Sequence, residues 1–201
     1  MKYFISFLIM MLVDTVQAYP KIEIIKDNSN YLMIQEKSLP IIDVNISFDF
    51  GSKDDLSNKG ISNFAFELLH QQKYLDKKFI NIFEGIGAQY SSSVSRESSS
   101  ISLRFINTNK NLDIISDSLG KMLVNRTISN ETFELTKEAI LKNIESRDLD
   151  PASLLSYKSN EEYFANSSFA HPVSGYKETI KNISIKDLIK HLNNLLIKDG
   201  I

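Results

Sequence analysis

The sequence contains no cysteine, and only three of its 201 residues are histidines. The lack of cysteine excludes a disulfide-stabilised secreted scaffold, and it also excludes a thiolate zinc site. Any metal would therefore be held by histidine, aspartate or glutamate side chains. Because the only histidines are His70, His171 and His191, the chain can build few metal sites of the ordinary kind.

The sequence also lacks an excess of charge of either sign. It has 23 basic and 25 acidic residues, which give a net charge of -2, and no basic stripe with interleaved aromatic residues. We therefore predict no nucleic acid and no anionic membrane surface as a partner. A hydrophobic content of 42% with 24% charged residues is typical of a globular chain, and the length indicates about one domain.

The first 18 residues have the pattern of a secretory signal. Lys2 precedes an almost unbroken apolar run at residues 3–13, and small or branched residues follow at positions 16–18. The run is short for a membrane helix, so we predict a signal peptide at 1–18 and a mature domain at 19–201. An uncleaved N-terminal anchor is the alternative. Composition rich in Lys, Asn and Ile is typical of an AT-rich bacterial genome. We expect an exported protein, located in the periplasm of a Gram-negative bacterium, with no membrane association after cleavage of the signal.

Hydrophobic periodicity separates strands from helices along the rest of the chain. The pattern predicts a hairpin at 22–36, strands at 42–50, 88–94 and 99–106, and helices at 60–72, 79–86, 112–124, 130–147, from 151 onward and 185–196. Asp76 is a candidate cap for the second helix. This order predicts an α+β fold, a two-layer sandwich of a mixed, largely antiparallel sheet covered on one face by helices. We expect the chain to stop before a last strand and a second similar domain.

One predicted helix carries a separate polar face. Asn63, Phe66, Glu67 and His70 stand at relative positions 0, 3, 4 and 7, so they lie on one side of the helix at 60–72. Two histidines and a glutamate at this kind of spacing form the zinc motif His-x-x-Glu-His of inverted zinc peptidases. Here the same positions hold other residue types.

The order of several further motifs supports a family resemblance. A strand ends at Gly51-Ser52 before Lys59-Gly60, and later come residues 85–88, a helix ending at Asp150-Pro151, and residues 170–180. Together these segments resemble the N-terminal domain of insulinase- and pitrilysin-type M16 zinc peptidases, over nearly the whole predicted mature chain.

The resemblance implies where a zinc site would lie. The family's two zinc histidines fall on Asn63 and Glu67, its general base on Phe66, and its third zinc ligand on Asn143. Neutral amides bind zinc poorly, and phenylalanine cannot move a proton. We therefore predict no catalytic residue, no metal and no cofactor in this chain, although the family binds zinc. Glu67 and His70 remain as a possible residual polar site.

The function that follows is a degenerate M16 member, inactive on its own. We predict the non-catalytic subunit of a periplasmic peptidase pair, whose partner is a competent M16 subunit with the intact zinc motif and whose substrate is an unfolded peptide. One alternative is a stand-alone protein that binds peptides in a clam-shell chamber. Another is a weakly active metallopeptidase with an atypical site at Glu67 and His70. We further expect Phe66 to pack against a helix or a partner, His171 to lie in a loop and His191 to face solvent.

Overall fold

The computed structural model describes residues 21–23, 32–35 and 38–198. The chain divides into two compact units, residues 1–40 and 41–201. In the first unit, β1 (Lys21–Glu23) pairs with β2 (Met33–Gln35) in antiparallel register. The predicted hairpin is thus present as a shorter strand pair. The middle of the predicted hairpin, residues 24–31, and the predicted signal peptide at 1–18 lie outside the described residues.

The second unit alternates between strands and helices before it becomes wholly helical. Its elements are β3 (Ile41–Phe48), α1 (Ile61–Leu69), β4 (Lys73–Tyr74), β5 (Lys77–Lys78), α2 (Phe79–Gly85), β6 (Gln89–Val94), β7 (Ser99–Ile106), α3 (Asn109–Val124), α4 (Asn130–Leu149), α5 (Pro151–Tyr163), α6 (Lys177–Asn182) and α7 (Ile185–Lys198). No helix within residues 38–198 is both long and apolar enough to cross a membrane.

The main sheet has the strand order β3-β7-β6, and both pairings are antiparallel. Alternation of residue type along each strand gives the sheet one apolar and one polar face. Ile101, Leu103 and Phe105 are buried with the helices, whereas Arg104 on the opposite face donates two hydrogen bonds to Asp43. The predicted α+β architecture, with helices on one face of an antiparallel sheet, is confirmed.

Helix α1 lies at the centre of the core. Its apolar stripe, which includes Phe64, Leu68 and Leu69, is completely buried, and the helix packs against α4, α7 and β6. The Phe64 ring stacks on that of Phe133 from α4, with centroids 5.3 Å apart. This packing fixes the orientation of α1, and it leaves one side of the helix facing α4 at the surface.

Two predicted helix starts are confirmed by their caps. Ser129 Oγ accepts a hydrogen bond from the Thr132 backbone N–H at the start of α4, and Asp150 Oδ2 accepts one from the Ser153 N–H at the start of α5. Pro151 occupies the first turn of α5, where a missing N–H costs nothing.

The predicted cap of α2 is wrong. Asp76 lies in the tight turn between β4 and β5, where it has a φ of 61°, and α2 begins only after Lys78. Asp tolerates the left-handed conformation that such a turn requires, and this use of the residue competes with helix capping. Strands of two residues leave too little periodicity for a sequence pattern to indicate them.

Candidate functional site

Two glycines hold the start of α1 against the loop that precedes α6. Gly60 and Gly175 have φ angles of +92° and +71°, a region that favours glycine. A Cβ atom at Gly175 would lie 2.1 Å from the Lys59 carbonyl oxygen, and one at Gly60 would lie 2.6 Å from the Ser174 carbonyl oxygen. The close backbone approach brings the loop beside the first turn of α1.

A buried carboxylate supports the same end of the helix. Asp55 accepts hydrogen bonds from the backbone N–H groups of Gly60 (2.7 Å) and Ser62 (3.0 Å). Burial raises the pKa of Asp55, and the hydrogen bonds oppose that shift. His171 is also buried, with Nε2 2.9 Å from the Ser52 carbonyl oxygen. It lies in a loop as predicted, and it serves there to tie the loop to residue 52.

A pocket of about 210 Å³ opens between α1 and α4. Asn63 and Glu67 line it from α1, Asn143 lines it from α4, and Ser174 comes from the adjoining loop. The three positions that correspond by resemblance to zinc ligands therefore lie around one cavity, although Asn143 is far from the other two in sequence.

The Glu67 carboxylate has no hydrogen-bond or ion-pair partner among the described residues. Its side chain is exposed at the pocket mouth, yet the protein atoms around it remove part of its hydration and raise its pKa. A carboxylate in this setting favours a cation or a hydrogen-bond donor as a neighbour.

The Phe66 side chain points into the core and is only 2% exposed. Its ring meets those of Phe48 and Phe50 edge-on, with centroids 5.7 Å and 5.6 Å away. The expected burial is observed, and the aromatic neighbours of Phe66 lie at the end of β3 and just beyond it. No group at position 66 can accept a proton from water.

His70 lies at the end of α1 but does not line the pocket with Glu67. Its ring is 5.1 Å from that of Tyr90, and its Nδ1 is buried without a hydrogen-bond partner. Burial lowers the pKa of His70, and the positive charge of Lys78 lowers it further. Within residues 38–198 and the two short strands before them, no group of three His, Cys, Asp or Glu residues is arranged to hold a metal.

The prediction that His191 faces solvent is wrong. The side chain is half-buried where α7 packs on α1, with Nε2 2.8 Å from Ser62 Oγ. Ser62 Oγ also lies 3.2 Å from the Gly51 carbonyl oxygen, so this hydroxyl links the backbone at residue 51 to the His191 ring. Burial lowers the pKa of His191 to about 4, so the ring is neutral at pH 7.

A second, larger pocket of about 610 Å³ adjoins the first, and the sequence analysis missed it. Asn63 and Ser174 line both cavities, and Arg96 and Arg147 line only the larger one. Arg147 donates hydrogen bonds to Ser174 Oγ (2.7 Å) and to the Gly175 carbonyl oxygen (2.9 Å). Arg96 belongs to the turn after β6 and Arg147 to α4, and no local sequence signal relates two such distant positions.

The donor set of the smaller pocket does not fit zinc, the metal of the resembled family. Catalytic zinc sites use three ligands from His, Glu, Asp or Cys, and they leave a fourth position open for water. Asn63 and Asn143 present neutral amides, and Glu67 is the single ionisable ligand candidate. We therefore derive no metal-dependent step for these residues.

Comparison with known proteins identifies relatives. The family model for insulinase (peptidase family M16) matches residues 31–175. No curated protein matches the chain. The fold is similar to that of a peptidase M16 inactive domain from Pseudomonas fluorescens, with a TM-score of 0.74, 20% identity, and coverage of 80% of this chain and 40% of the other.

Two further solved structures share the fold. A protease from Helicobacter pylori has a TM-score of 0.76 at 17% identity, over 89% of this chain and 44% of the other. The periplasmic protease PqqL from Escherichia coli has a TM-score of 0.69 at 14% identity, over 78% of this chain and 18% of the other. The chain thus spans less than half the length of each of these relatives. The match over residues 31–175, on a shared fold, shows that the chain belongs to peptidase family M16, the insulinase family.

Proposed function

We propose that this chain is the N-terminal M16 domain of a non-catalytic subunit that works beside a zinc-bearing M16 partner in the periplasm. The observation that carries the proposal is the pocket between α1 and α4. Asn63, Glu67 and Asn143 line it together, at the positions that correspond to the family's ligands. The scaffold of the site is retained while its metal-binding chemistry is absent.

The position of the general base supports the same proposal. In a hydrolytic zinc site, a carboxylate at this position takes a proton from the metal-bound water. Phe66 instead packs against Phe48 and Phe50 in the core. A glutamate substituted at position 66 alone would place a charge among aromatic rings. The packing of the core around Phe66 therefore opposes the recovery of a general base by this single substitution.

Pairing and export are further parts of the proposal. The family resemblance implies a subunit with an intact motif that closes with this one around an unfolded peptide, and one similar structure is an M16 inactive domain. Another similar structure is a periplasmic protease. Residues 1–18 would be the signal peptide and 19–201 the mature domain, with a second similar domain completing the chamber wall.

Copurification from the native organism tests the proposal. Tagged protein is isolated under mild conditions, its partners are identified, and peptide hydrolysis is measured with and without a chelator. We expect a partner that contains His-x-x-Glu-His, and hydrolysis by the complex but not by the isolated chain. A partner-free protein that binds peptide without cleaving it would favour the stand-alone binding function instead. Chelator-sensitive hydrolysis by the isolated chain, lost in Glu67→Ala, would favour a residual enzyme.

A further inference from the structure

The small pocket between α1 and α4 is lined by oxygen atoms of several kinds. The side chains of Asn63, Glu67 and Asn143 carry two amide oxygens and one carboxylate. Thr136, on the same wall, donates its hydroxyl proton to the Thr132 carbonyl oxygen, so its remaining capacity toward the pocket is as an acceptor. The pocket therefore offers one anionic carboxylate and several neutral oxygen acceptors, beside the N–H donors of the two amides.

The charge of the pocket is negative and uncompensated. Glu67 is the only ionisable residue that lines it, and the carboxylate has no ion-pair partner in the described part of the chain. Partial desolvation of this carboxylate raises its pKa, because the ionised form has lost part of its hydration. A bound cation would offset that desolvation penalty. The amides cannot provide the anionic or imidazole ligands that a transition metal prefers, but they accept hydrogen bonds from a nitrogen cation.

The size of the pocket limits what it can hold. A volume of about 210 Å³ lies below the ~300–1,000 Å³ that is usual for a site that encloses a whole small molecule. One functional group of a larger ligand fits better. The larger cavity of about 610 Å³ shares the lining residues Asn63 and Ser174 with the small one, so a ligand with one group in the small pocket has the larger cavity as its neighbour.

We propose that the pocket formed by Asn63, Glu67, Thr136 and Asn143 binds the primary ammonium group of a peptide, from a lysine side chain or from the amino terminus. An ammonium group is compact and has three N–H donors, which suits one carboxylate surrounded by neutral oxygen acceptors. The rest of the peptide would extend into the larger cavity, where Arg96 can donate to its carbonyl or carboxylate oxygens from the two terminal nitrogens of the guanidinium, since within the described part of the chain only its Nε is engaged, by the Phe169 carbonyl oxygen. The donors of Arg147 are largely taken by Ser174, Gly175 and Asp148. This inference rests on the proposed absence of zinc from the pocket, but not on subunit pairing.

The test is calorimetric titration of the mature chain, in the presence of a chelator, with short peptides of matched sequence. One probe has a free amino terminus and no lysine, a second is N-acetylated with a single lysine, and a third is N-acetylated without lysine. We expect the first or the second to bind, which identifies the source of the ammonium group, and the third to bind at least about tenfold more weakly. Equal binding of all three peptides would overturn the proposal.

A matched pair of variants ties the binding to the pocket. Glu67→Gln removes the charge at constant shape and should weaken binding about tenfold or more, whereas Glu134→Gln, on an exposed part of α4 outside the pocket, should leave it unchanged. Thermal unfolding of each variant verifies that it is folded. Unchanged binding in Glu67→Gln would contradict the proposed ammonium site but would leave the proposed function intact. Stoichiometric zinc in the wild-type chain would contradict the proposed function.

Discussion

The Phe66 ring meets the Phe50 ring edge-on, with centroids 5.6 Å apart. Asn63 and Glu67 line the cavity from the same helix. Phe66 lies at the flank of that face, where its ring is buried in the core and does not line the cavity. The position that corresponds by resemblance to the family's general base is thus part of the hydrophobic core.

A glutamate at position 66 should therefore destabilise the protein rather than restore activity. Phe66→Glu buries a carboxyl group among aromatic rings and removes their contacts, and we expect it to lower the free energy of unfolding by about 3 kcal/mol or more. Phe66→Leu keeps an apolar side chain and should cost less, on the order of 1–2 kcal/mol. Urea unfolding at pH 7 measures both. A Phe66→Glu variant as stable as the wild type would show that position 66 is not packed as described.

The close approach of the backbone at Gly60 and Gly175 predicts that the free energy of unfolding falls sharply when a side chain is added at residue 175. Gly175→Ala would place a Cβ atom 2.1 Å from the Lys59 carbonyl oxygen at a φ of +71°. We expect a loss of about 2 kcal/mol or more in the free energy of unfolding, since both strain and displacement of the loop contribute.

The control for that prediction is Gly120→Ala in the middle of α3. A Cβ atom there would meet nothing within 4 Å, so the substitution should stabilise the protein by up to about 1 kcal/mol through helix propensity. Equal effects of the two substitutions in thermal unfolding would contradict the close approach of the loop to α1.

The half-buried His191 predicts a loss of stability in mild acid. Its pKa is lowered from 6.5 to about 4 by burial, with a partial opposing attraction from Asp54. The unfolded chain therefore binds a proton at a higher pH than the folded chain does. The stabilising contribution is fully present above about pH 6.5 and is lost as the pH falls toward 4.

His191→Gln keeps a hydrogen-bonding partner for Ser62 but cannot titrate. Between pH 7 and pH 4 the wild type should lose roughly 2 kcal/mol more stability than this variant does, as measured by urea unfolding across the pH range. Parallel pH profiles for the two proteins would mean that His191 is solvated, as its sequence position alone had suggested.

Sequence patterns predicted the parts of the fold that depend on local periodicity and capping. The strand Ser99–Ile106 and the helices that begin after Ser129 and Asp150 follow from alternation and cap chemistry within a few residues. Asp76 was predicted to cap a helix and His191 to face solvent, and both predictions are wrong because tertiary contacts and a tight turn decide these positions. The family resemblance places Asn63, Glu67 and Asn143 at the positions of the family's zinc ligands. In the structure, these three residues line one pocket. The adjoining cavity with Arg96 and Arg147 had no sequence signal.

The proposed function holds that the zinc site of this M16 chain has lost its ligands while the positions that held them remain together. The most direct measurement is zinc content, by elemental analysis after dialysis against excess zinc, for the wild-type mature chain and for the triple variant Asn63→His, Glu67→His, Asn143→Glu. We predict no bound zinc in the wild type and one zinc ion per chain in the variant, because three such ligands around one pocket complete a catalytic-type donor set. Stoichiometric zinc in the wild type would contradict the account, as would a folded triple variant that binds none.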